Sequence, residues 1–448
     1  MAGASEPDPV STKQQQIAEL AKQDPQMGLF SLAHHIDLRW LYEAYLRVRK
    51  NGATGVDGQT AADYSAHLGD NLRSLLERAK SGTYRAPPVR RVHIPKGTGD
   101  ETRPIGIPTF EDKVLQRAVV MVLEAVYEQH FRDCSYGFRP GRSAHQALAT
   151  LWQQTMQTGG GWIVEADIRK FFDTLDHAHL RDLLRRRVRD GVLLRLIDKW
   201  LKAGVLEDGT LTVPDQGSPQ GGVISPFLAN VYLHYVLDLW FEQEVQPRLK
   251  GRAFLIRYAD DFVIGFTNEE DARRVLDVLP KRFGKYGLTI HPDKTRLVPF
   301  RSPAASDGAG SGKGSSPGTF DLLGFTHFWG RSRQGNWVVK RRTAADRLQR
   351  AIRKIADWCR RSRHQPIPEQ HQTLWQKLLG HFAYYGITGN GGALHKFRDA
   401  VLGIWRKWLS RRSRGRPLSW DHFNLLLTRY PLPAAVVVHS VCRPLANP

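Results

Sequence analysis

Two short apolar runs flank an acidic pair in the second half of the chain. Residues 253–256 read Ala-Phe-Leu-Ile, residues 262–266 read Phe-Val-Ile-Gly-Phe, and Asp260 and Asp261 lie between them. Short β-forming runs around a tight polar segment predict a hairpin with both carboxylates at its tip. Adjacent acids repel each other, whereas Mg²⁺ prefers carboxylate oxygens together with substrate phosphates. The pair is therefore either a solvated turn or part of a metal site.

A third acid follows another apolar run. Residues 161–168 read Gly-Trp-Ile-Val-Glu-Ala-Asp-Ile, which predicts a buried strand with Asp167 near its C-terminal end. Asp167, Asp260 and Asp261 could meet across one sheet and hold two metal ions about 4 Å apart, an arrangement that serves in-line phosphoryl transfer. Glu165 alternates with Asp167 along the strand, so it would share that face as a further ligand or an ion-pair partner.

A segment rich in glycine and proline lies between these acids, at residues 216–227. Glycine allows the backbone to approach a ligand closely. Ser225 followed by Pro226 predicts the start of a helix, with Ser225 as N-cap. Apolar residues then recur at helical spacing as far as Trp240, and packing explains them. Packing does not explain Gln220.

The C-terminal quarter combines amphipathic helices with positive charge. Apolar stripes predict one helix over about 343–363 and another running from Leu394 to Trp408. The chain has a net charge of +21, and residues 331–448 hold 23 basic and 5 acidic residues against 42 and 39 in the first 330. They also hold six of the twelve tryptophans, which can stack on bases or fill a core. This charge asymmetry is typical of a nucleic-acid-binding surface.

Composition along the chain predicts its organisation. We expect a disordered tail at 1–26, a helical extension at 27–80, a larger domain at 81–335 with a flexible Ser/Gly-rich insertion at 302–318, and a basic helical domain at 336–448. The three cysteines are too scattered for a zinc site. Few cysteines, and neither a signal peptide nor a long apolar span, predict a cytoplasmic protein without membrane contact.

The ordered motifs resemble the palm of a reverse transcriptase, and they are most similar to the enzymes encoded by bacterial group II introns. The resemblance covers about residues 90–330. The matching segments are Lys96 with Arg-Pro-Ile-Gly-Ile-Pro at 103–108, Tyr-Gly-Phe-Arg-Pro-Gly-Arg-Ser-Ala-His at 136–145, Ala-Asp-Ile-Arg-Lys-Phe-Phe at 166–172, the Ser-Pro-Gln-Gly-Gly segment at 218–226, Tyr-Ala-Asp-Asp at 258–261, Gly-Leu-Thr-Ile-His-Pro-Asp-Lys at 287–294 and Phe-Asp-Leu-Leu-Gly-Phe at 320–325. The C-terminal helices resemble, more loosely, the thumb or maturase domain of the same proteins.

The resemblance implies an α+β right-hand polymerase, with fingers and palm built on an antiparallel sheet and helices, followed by an α-helical thumb. The implied activity is RNA-directed DNA synthesis, adding dNTPs to a primer 3′ hydroxyl with two Mg²⁺ ions, for which Mn²⁺ would substitute. The implied metal ligands are Asp167, Asp260 and Asp261 with the Ile168 carbonyl.

The resemblance also implies how substrates are held. Lys96 and Arg103 would bind the triphosphate, Phe172 would exclude a 2′ hydroxyl, and Gln220 would contact the nucleotide or template. Lys294 would either protonate the leaving pyrophosphate or pair with Asp293. The nucleic-acid contacts we predict are Arg139, Arg142, Arg353, Arg406, Lys407, Arg411 and Arg412. The implied partners are an RNA template, an intron RNA, a DNA primer or target DNA, and dNTPs.

Several alternatives stay open at this point. A domesticated relative in phage defence or CRISPR spacer capture would keep the polymerase without an intron. A splicing factor that only binds RNA would not need three acids, and a polymerase that makes RNA would not need Phe172. Ser225-Pro226 has the group II form, where diversity-generating enzymes typically carry Ser-Gln. We expect no endonuclease domain, and the sequence leaves the oligomeric state and the bound RNA undetermined.

Overall fold

The computed structural model describes residues 9–95, 102–207, 209–212, 217, 221–305, 317–412 and 417–440. The predicted triphosphate ligand Lys96 and the predicted nucleotide contact Gln220 lie outside the described residues. So does most of the insertion predicted at 302–318.

Helices make up most of the described structure. The α-helices are α1 (Pro9–Gln23), α2 (Leu38–Arg47), α3 (Ala61–Ala66), α4 (Leu68–Ser81), α5 (Phe110–Tyr127), α6 (Ala144–Thr158), α7 (Phe171–Thr174), α8 (His177–Arg185), α9 (Gly191–Leu201), α10 (Ser225–Leu233), α11 (Glu269–Gly284), α12 (Ala345–Arg361), α13 (Ile367–Tyr385), α14 (Gly391–Leu409) and α15 (Trp420–Arg429).

Eleven strands in the described residues form three small sheets. The strands are β1 (Val89–Pro95), β2 (Thr102–Ile107), β3 (Gly160–Ala166), β4 (Val205–Glu207), β5 (Thr210–Thr212), β6 (Ala253–Tyr258), β7 (Asp261–Phe266), β8 (Arg296–Arg301), β9 (Phe320–Leu322), β10 (Phe325–Arg331) and β11 (Trp337–Thr343). The sheet orders are β2-β1-β4-β5, β6-β7-β3-β8 and β11-β10-β9. Sheets combined with helices confirm the predicted α+β class.

The chain divides into two compact units, and each is described by itself. The first contains Met1–Ala147, Ala166–Ile264 and Asn268–Arg296, and the second contains Leu148–Glu165, Gly265–Thr267 and Leu297–Pro448. The strands β9, β10 and β11 therefore belong to the same unit as the C-terminal helices. The domain boundary predicted at 335–336 stays a prediction.

The core of the first unit is built around α5. This helix follows an N-cap at Thr109, whose side chain accepts a hydrogen bond from the Asp112 amide, and most of its residues are buried. Helices α1 and α2 pack on it, and the Trp40 indole donates to the Ala118 carbonyl at 2.9 Å. The prediction of disorder is wrong for residues 9–23, because Val10, Ile17 and Ala21 of α1 are buried.

The helix predicted after the Gly/Pro-rich segment begins one residue earlier than expected and changes its winding. Ser225 is the first residue of α10, and the N-cap position belongs to Ile224, which makes no side-chain capping bond. After Leu233 the chain continues in π-helical turns at 234–238 and 241–245. Such wider turns alter which side chains face the interior. Asp238, the last residue of the first of these turns, is only 1% exposed.

The second unit has its own apolar core among α12, α13, α14 and α15. Trp405, Leu374, Leu378 and Phe423 are fully buried there. The apolar stripes predicted for the two C-terminal helices lie on this core, which confirms both helices. Their basic residues are left on the other faces, as an amphipathic pattern requires.

Candidate active site

The acidic pair lies where β6 turns into β7: Ala259 and Asp260 form the two-residue connection, and Asp261 is the first residue of β7. Throughout, the acidic turn means residues Tyr258–Asp261. Ala259 has a φ of +58°, a left-handed conformation that costs an L-residue free energy and is held only where surrounding contacts enforce it. Asp260 is partly buried and Asp261 is exposed at the start of β7. The predicted hairpin with acids at its tip is confirmed.

Asp260 lies in a mixed electrostatic environment. Burial raises the pKa of the Asp260 carboxyl and the nearby Asp167 carboxylate raises it further, while the Arg103 and Arg257 cations oppose the shift. The structure therefore brings Asp167, Asp260 and Arg103 within electrostatic reach of one another. These three residues come from the end of β3, the acidic turn and β2, as far apart as 157 positions in sequence.

Backbone bonds hold Asp167 just beyond β3. Its carbonyl accepts a hydrogen bond from the His291 amide at 2.8 Å, and the Arg169 amide donates to the Thr289 carbonyl at the same distance. Lys294 approaches from this second segment, with its Nζ 2.9 Å from Asp167 Oδ2. Of the two alternatives for Lys294, pairing with Asp293 is not what the structure shows, since the ammonium contacts Asp167.

The two neighbouring phenylalanines of α7 are in different environments. Phe171 is 2% exposed and packs edge-on against Tyr232. Phe172 is half-buried, with its ring centroid 5.3 Å from that of Phe171. Phe171 is therefore a core residue, and Phe172 is the ring that a bound molecule could reach.

A buried arginine organises the acidic turn, and the sequence interpretation missed it. Arg257 is completely buried, and its guanidinium bonds both carboxylate oxygens of Asp238 at 2.7 and 2.5 Å. The same group donates to the Ala259 carbonyl at 2.9 Å, to Asn230 Oδ1 at 3.0 Å and to Ser135 Oγ at 2.7 Å. Burial by itself lowers the pKa of Arg257, but the charge and hydrogen bonds of Asp238, together with smaller effects of Cys134 and Asp260, leave that pKa above its ordinary value. An arginine within the apolar run of β6 was the available sequence signal.

A second buried network supports the Gly/Pro-rich segment. Asp112 is 1% exposed, and it accepts hydrogen bonds from the Tyr84 hydroxyl, the Trp200 indole and the Gln116 amide. Burial raises the pKa of Asp112 to about 6, against the effect of these three bonds. Gln116 in turn accepts from the Ile224 amide at 3.2 Å. The network fixes the backbone where this segment enters α10.

The two arginines predicted to bind nucleic acid near residue 140 make contacts within the protein. The Arg139 side chain is 4% exposed and pairs with Glu128 at 2.9 Å, and it also donates to the Arg132 and Ser135 carbonyls. This burial contradicts a nucleic-acid contact, and we correct the prediction for Arg139. Arg142 is 29% exposed and pairs with Asp133.

Three of the basic residues predicted to bind nucleic acid in the second unit are exposed. Arg353 is exposed on α12, and Lys407 is exposed on α14. The Arg411 guanidinium is also exposed and lies 5.2 Å from the centroid of the Trp408 ring. Their charge is thus available to a phosphate backbone.

The other two basic residues of this set are more constrained. The Arg406 guanidinium stacks 4.0 Å over the exposed Trp420 ring and donates to the Leu418 carbonyl at 2.9 Å. Arg412 donates to the Gln365 carbonyl at 2.6 Å. Stacked arginine and tryptophan form a flat amphipathic surface of the kind that binds nucleic acid.

The donors at the acidic turn fit a divalent cation. In the described ranges no group of three or more His, Cys, Asp or Glu side chains surrounds one metal position. Mg²⁺ commonly binds one or two carboxylates and completes its shell with water and substrate phosphates. Asp167 and Asp260 supply two such carboxylates, and the negative charge that raises the pKa of Asp260 would be offset by a cation. Asp261 and the Ile168 carbonyl stay predicted ligands.

Comparison with known proteins agrees with this geometry. A family model described as reverse transcriptase (RNA-dependent DNA polymerase) matches residues 94–327, which is more than half of the chain. The chain belongs to the reverse transcriptase family. It is accordingly an enzyme of the RNA-dependent DNA polymerase class, whose members use divalent metal ions and act on RNA, DNA and nucleotides.

Individual relatives show which members of the reverse transcriptase family this chain is similar to. Protein YkfC of Escherichia coli K12 is 34% identical over 370 residues, covering 74% of this chain and 91% of YkfC. The group II intron-encoded protein LtrA of Lactococcus lactis subsp. cremoris is 42% identical over 217 residues, covering 46% of this chain and 35% of LtrA. The chain is also 33% identical over 95 residues to nuclear intron maturase 1, mitochondrial, of Arabidopsis thaliana, covering 21% of this chain and 13% of that protein. Across the part of the chain that is described, no helix is long and apolar enough to cross a membrane.

Proposed function

We propose that this protein copies RNA into DNA at the acidic turn by two-metal-ion nucleotidyl transfer. The observation that carries the proposal is the convergence of Asp167 and Asp260: burial, and the nearby Asp167 carboxylate, raise the pKa of Asp260. Bound divalent metal ions, Mg²⁺ or Mn²⁺, would activate the 3′ hydroxyl and neutralise charge on the transferred phosphate. Asp167 and Asp260 would hold those ions, assisted by Asp261 and the Ile168 carbonyl.

The remaining residues of the site fit roles in binding the nucleotide. Arg103 is exposed on β2 and reaches Asp260 electrostatically, so its cation could contact a triphosphate bound beside the acids. When a metal ion is bound by Asp167, the Lys294 ammonium would no longer pair with that carboxylate. It would then contact a phosphate oxygen of the nucleotide. We keep Lys96 and Gln220 in the proposal on the motif resemblance alone.

Primer extension on an RNA template tests the proposal directly. We expect the purified chain to extend a DNA primer with dNTPs and Mg²⁺, to extend it poorly with rNTPs, and to stop when the metal is chelated. Tight RNA binding without any extension would contradict the polymerase and favour a splicing factor that only binds RNA.

Phe172 should control the choice of sugar. Its half-buried ring would clash with a 2′ hydroxyl, and a steric clash is an effective way to reject a close analogue. Phe172→Ala should reduce the preference for dNTPs over rNTPs by about tenfold or more, the scale of discrimination by a small group in a fitted pocket. The measurement is the ratio of kcat/KM values for dTTP and UTP on one template.

Phe171→Leu is the matched control, because this ring is buried against Tyr232. It should lower thermal stability and leave the sugar preference as in the wild type. An unchanged dNTP preference in Phe172→Ala would remove Phe172 from the role.

We further propose that the protein assists splicing of an intron RNA. Two observations favour this second role: similarity to LtrA and to nuclear intron maturase 1, and the excess of 18 positive charges in residues 331–448. The test is splicing of an intron RNA that flanks the gene, with and without the protein, at near-physiological salt. Absence of such an intron, or splicing at the same rate without the protein, would favour a domesticated polymerase.

A further inference from the structure

The segment before Phe138 is hydrogen-bonded to the end of β6, next to the acidic turn. The Arg257 amide donates to the Cys134 carbonyl at 2.8 Å, and the Tyr136 amide donates to the Arg257 carbonyl at 2.9 Å. Asn230 Nδ2 then donates to the Gly137 carbonyl at 2.6 Å. The backbone of 134–137 is thereby attached to β6 like a short extra strand.

Gly137 allows a closer approach than any other residue would. A Cβ atom at this position would lie 2.4 Å from the backbone nitrogen of Ala259, well inside van der Waals contact. The absence of a side chain at Gly137 thus lets the two backbones touch. The backbone of the next residue, Phe138, is therefore held close to the acidic turn.

Phe138, which follows, carries two features that are unfavourable for folding. Its φ is +57°, a conformation that is an outlier for a bulky residue. Its large apolar ring is 51% exposed, so about half of the free energy that full burial would contribute is lost. Strained residues of this kind are concentrated at functional sites.

The ring of Phe138 has an aromatic neighbour in the acidic turn. Its centroid lies 6.5 Å from that of Tyr258, with the two planes tilted by 43°. Tyr258 is partly exposed and immediately precedes Ala259 and Asp260. Two accessible rings therefore lie next to the carboxylates, on a backbone held by buried hydrogen bonds.

We propose that Phe138, together with Tyr258, forms a stacking platform for a nucleobase of the template–primer engaged at the acidic turn. The inference rests on the proposed polymerase function and adds a binding residue to it. Stacking on an aromatic face is independent of sequence, because every base has a π-face. An enzyme that copies any template needs contacts of this type close to the reacting atoms.

Base stacking can be measured without catalysis. We would use the full-length chain and a primer–template with 2-aminopurine, in separate duplexes, at the primer terminus and at the first unpaired template position. Stacking on an aromatic ring quenches 2-aminopurine fluorescence. We expect quenching at one of these positions with wild type and with Phe138→Tyr. Phe138→Ala should lose the quenching and bind primer–template about tenfold more weakly, the typical effect of losing one stacked base.

Phe138→Gly separates stacking from stability. Glycine accepts a φ of +57° without strain, so the melting temperature of this variant should not fall, whereas its quenching and affinity should match those of Phe138→Ala. Phe30→Ala is the matched control, since Phe30 is also exposed, at 62%. Its ring contacts the Arg189 guanidinium and not the acidic turn. It should bind and quench like the wild type.

The outcomes distinguish the platform from the polymerase. Wild-type quenching and affinity in Phe138→Ala, with primer extension intact, would overturn the platform and leave the proposed activity standing. Loss of quenching in Phe138→Tyr would also overturn it, because an aromatic ring at position 138 would then not be the cause of the quenching. A wild-type chain that binds and quenches but does not extend the primer would support the platform and contradict the polymerase.

Discussion

Asp260→Asn should abolish primer extension while leaving the fold intact. The substitution keeps the shape of the side chain but removes the negative charge that Asp260 places next to Asp167. Loss of a metal ligand forfeits several kcal/mol of transition-state stabilisation, and about 4 kcal/mol corresponds to roughly a thousandfold in rate. The measurement is the single-turnover rate of dNTP addition at saturating nucleotide and Mg²⁺.

The charge removed from Asp260 is unfavourable for folding, because burial raises the pKa of that carboxyl. Asp260→Asn should therefore have a melting temperature equal to or above that of wild type. Asp182→Asn is the matched control, an identical chemical change at an acid that is 74% exposed on α8. Its rate should equal that of wild type. Extension by Asp260→Asn within tenfold of wild type would show that this acid is not a metal ligand.

Arg257→Met should be the most destabilising single change near the site. It leaves Asp238 buried without its partner, and breaking a buried ion pair by removing one member typically costs about 3–5 kcal/mol. For a unit of this size that cost lowers the melting temperature by roughly 10 °C. It also releases the Ala259 carbonyl and Asn230, so the acidic turn loses its anchor. The measurements are thermal unfolding by fluorescence and primer extension at a temperature where the variant is folded.

Two further variants help to interpret the result for Arg257→Met. Arg257→Met combined with Asp238→Leu removes both charges, and it should recover much of the melting temperature because no unpaired charge is left. It should not recover the extension rate, since Ala259 remains unanchored. Arg273→Met removes an exposed helix pair with Glu269 and should barely change the melting temperature. Full recovery of the rate in the double variant would show that Arg257 serves stability alone.

Local patterns were sufficient for some elements of the fold. The apolar runs around Asp260 and Asp261 specified a hairpin, and stripes at helical spacing specified α12 and α14. These predictions work because the periodicities of strands and helices are properties of neighbouring residues. The prediction failed at α1, where a polar segment carries three apolar residues that become buried in the assembled unit. It also missed the π-helical turns after Leu233, which depend on packing.

Electrostatic partners could not be assigned in this way. The side chains that contact the Arg257 guanidinium come from positions 19, 27 and 122 residues away along the chain, and no local pattern connects them. Arg139 appears basic and available in sequence, yet it is enclosed with Glu128. Lys294 follows Asp293 in the chain, but it pairs with Asp167.

By itself, the sequence determined the class of enzyme, the order of its motifs and the acids that would hold metal ions. These depend on residue types and spacings along the chain. Only the tertiary structure decided which charges are buried, which are paired and which rings are left accessible beside the acidic turn. These properties depend on the distances between segments remote in sequence, because burial and Coulomb interactions are set by position in space.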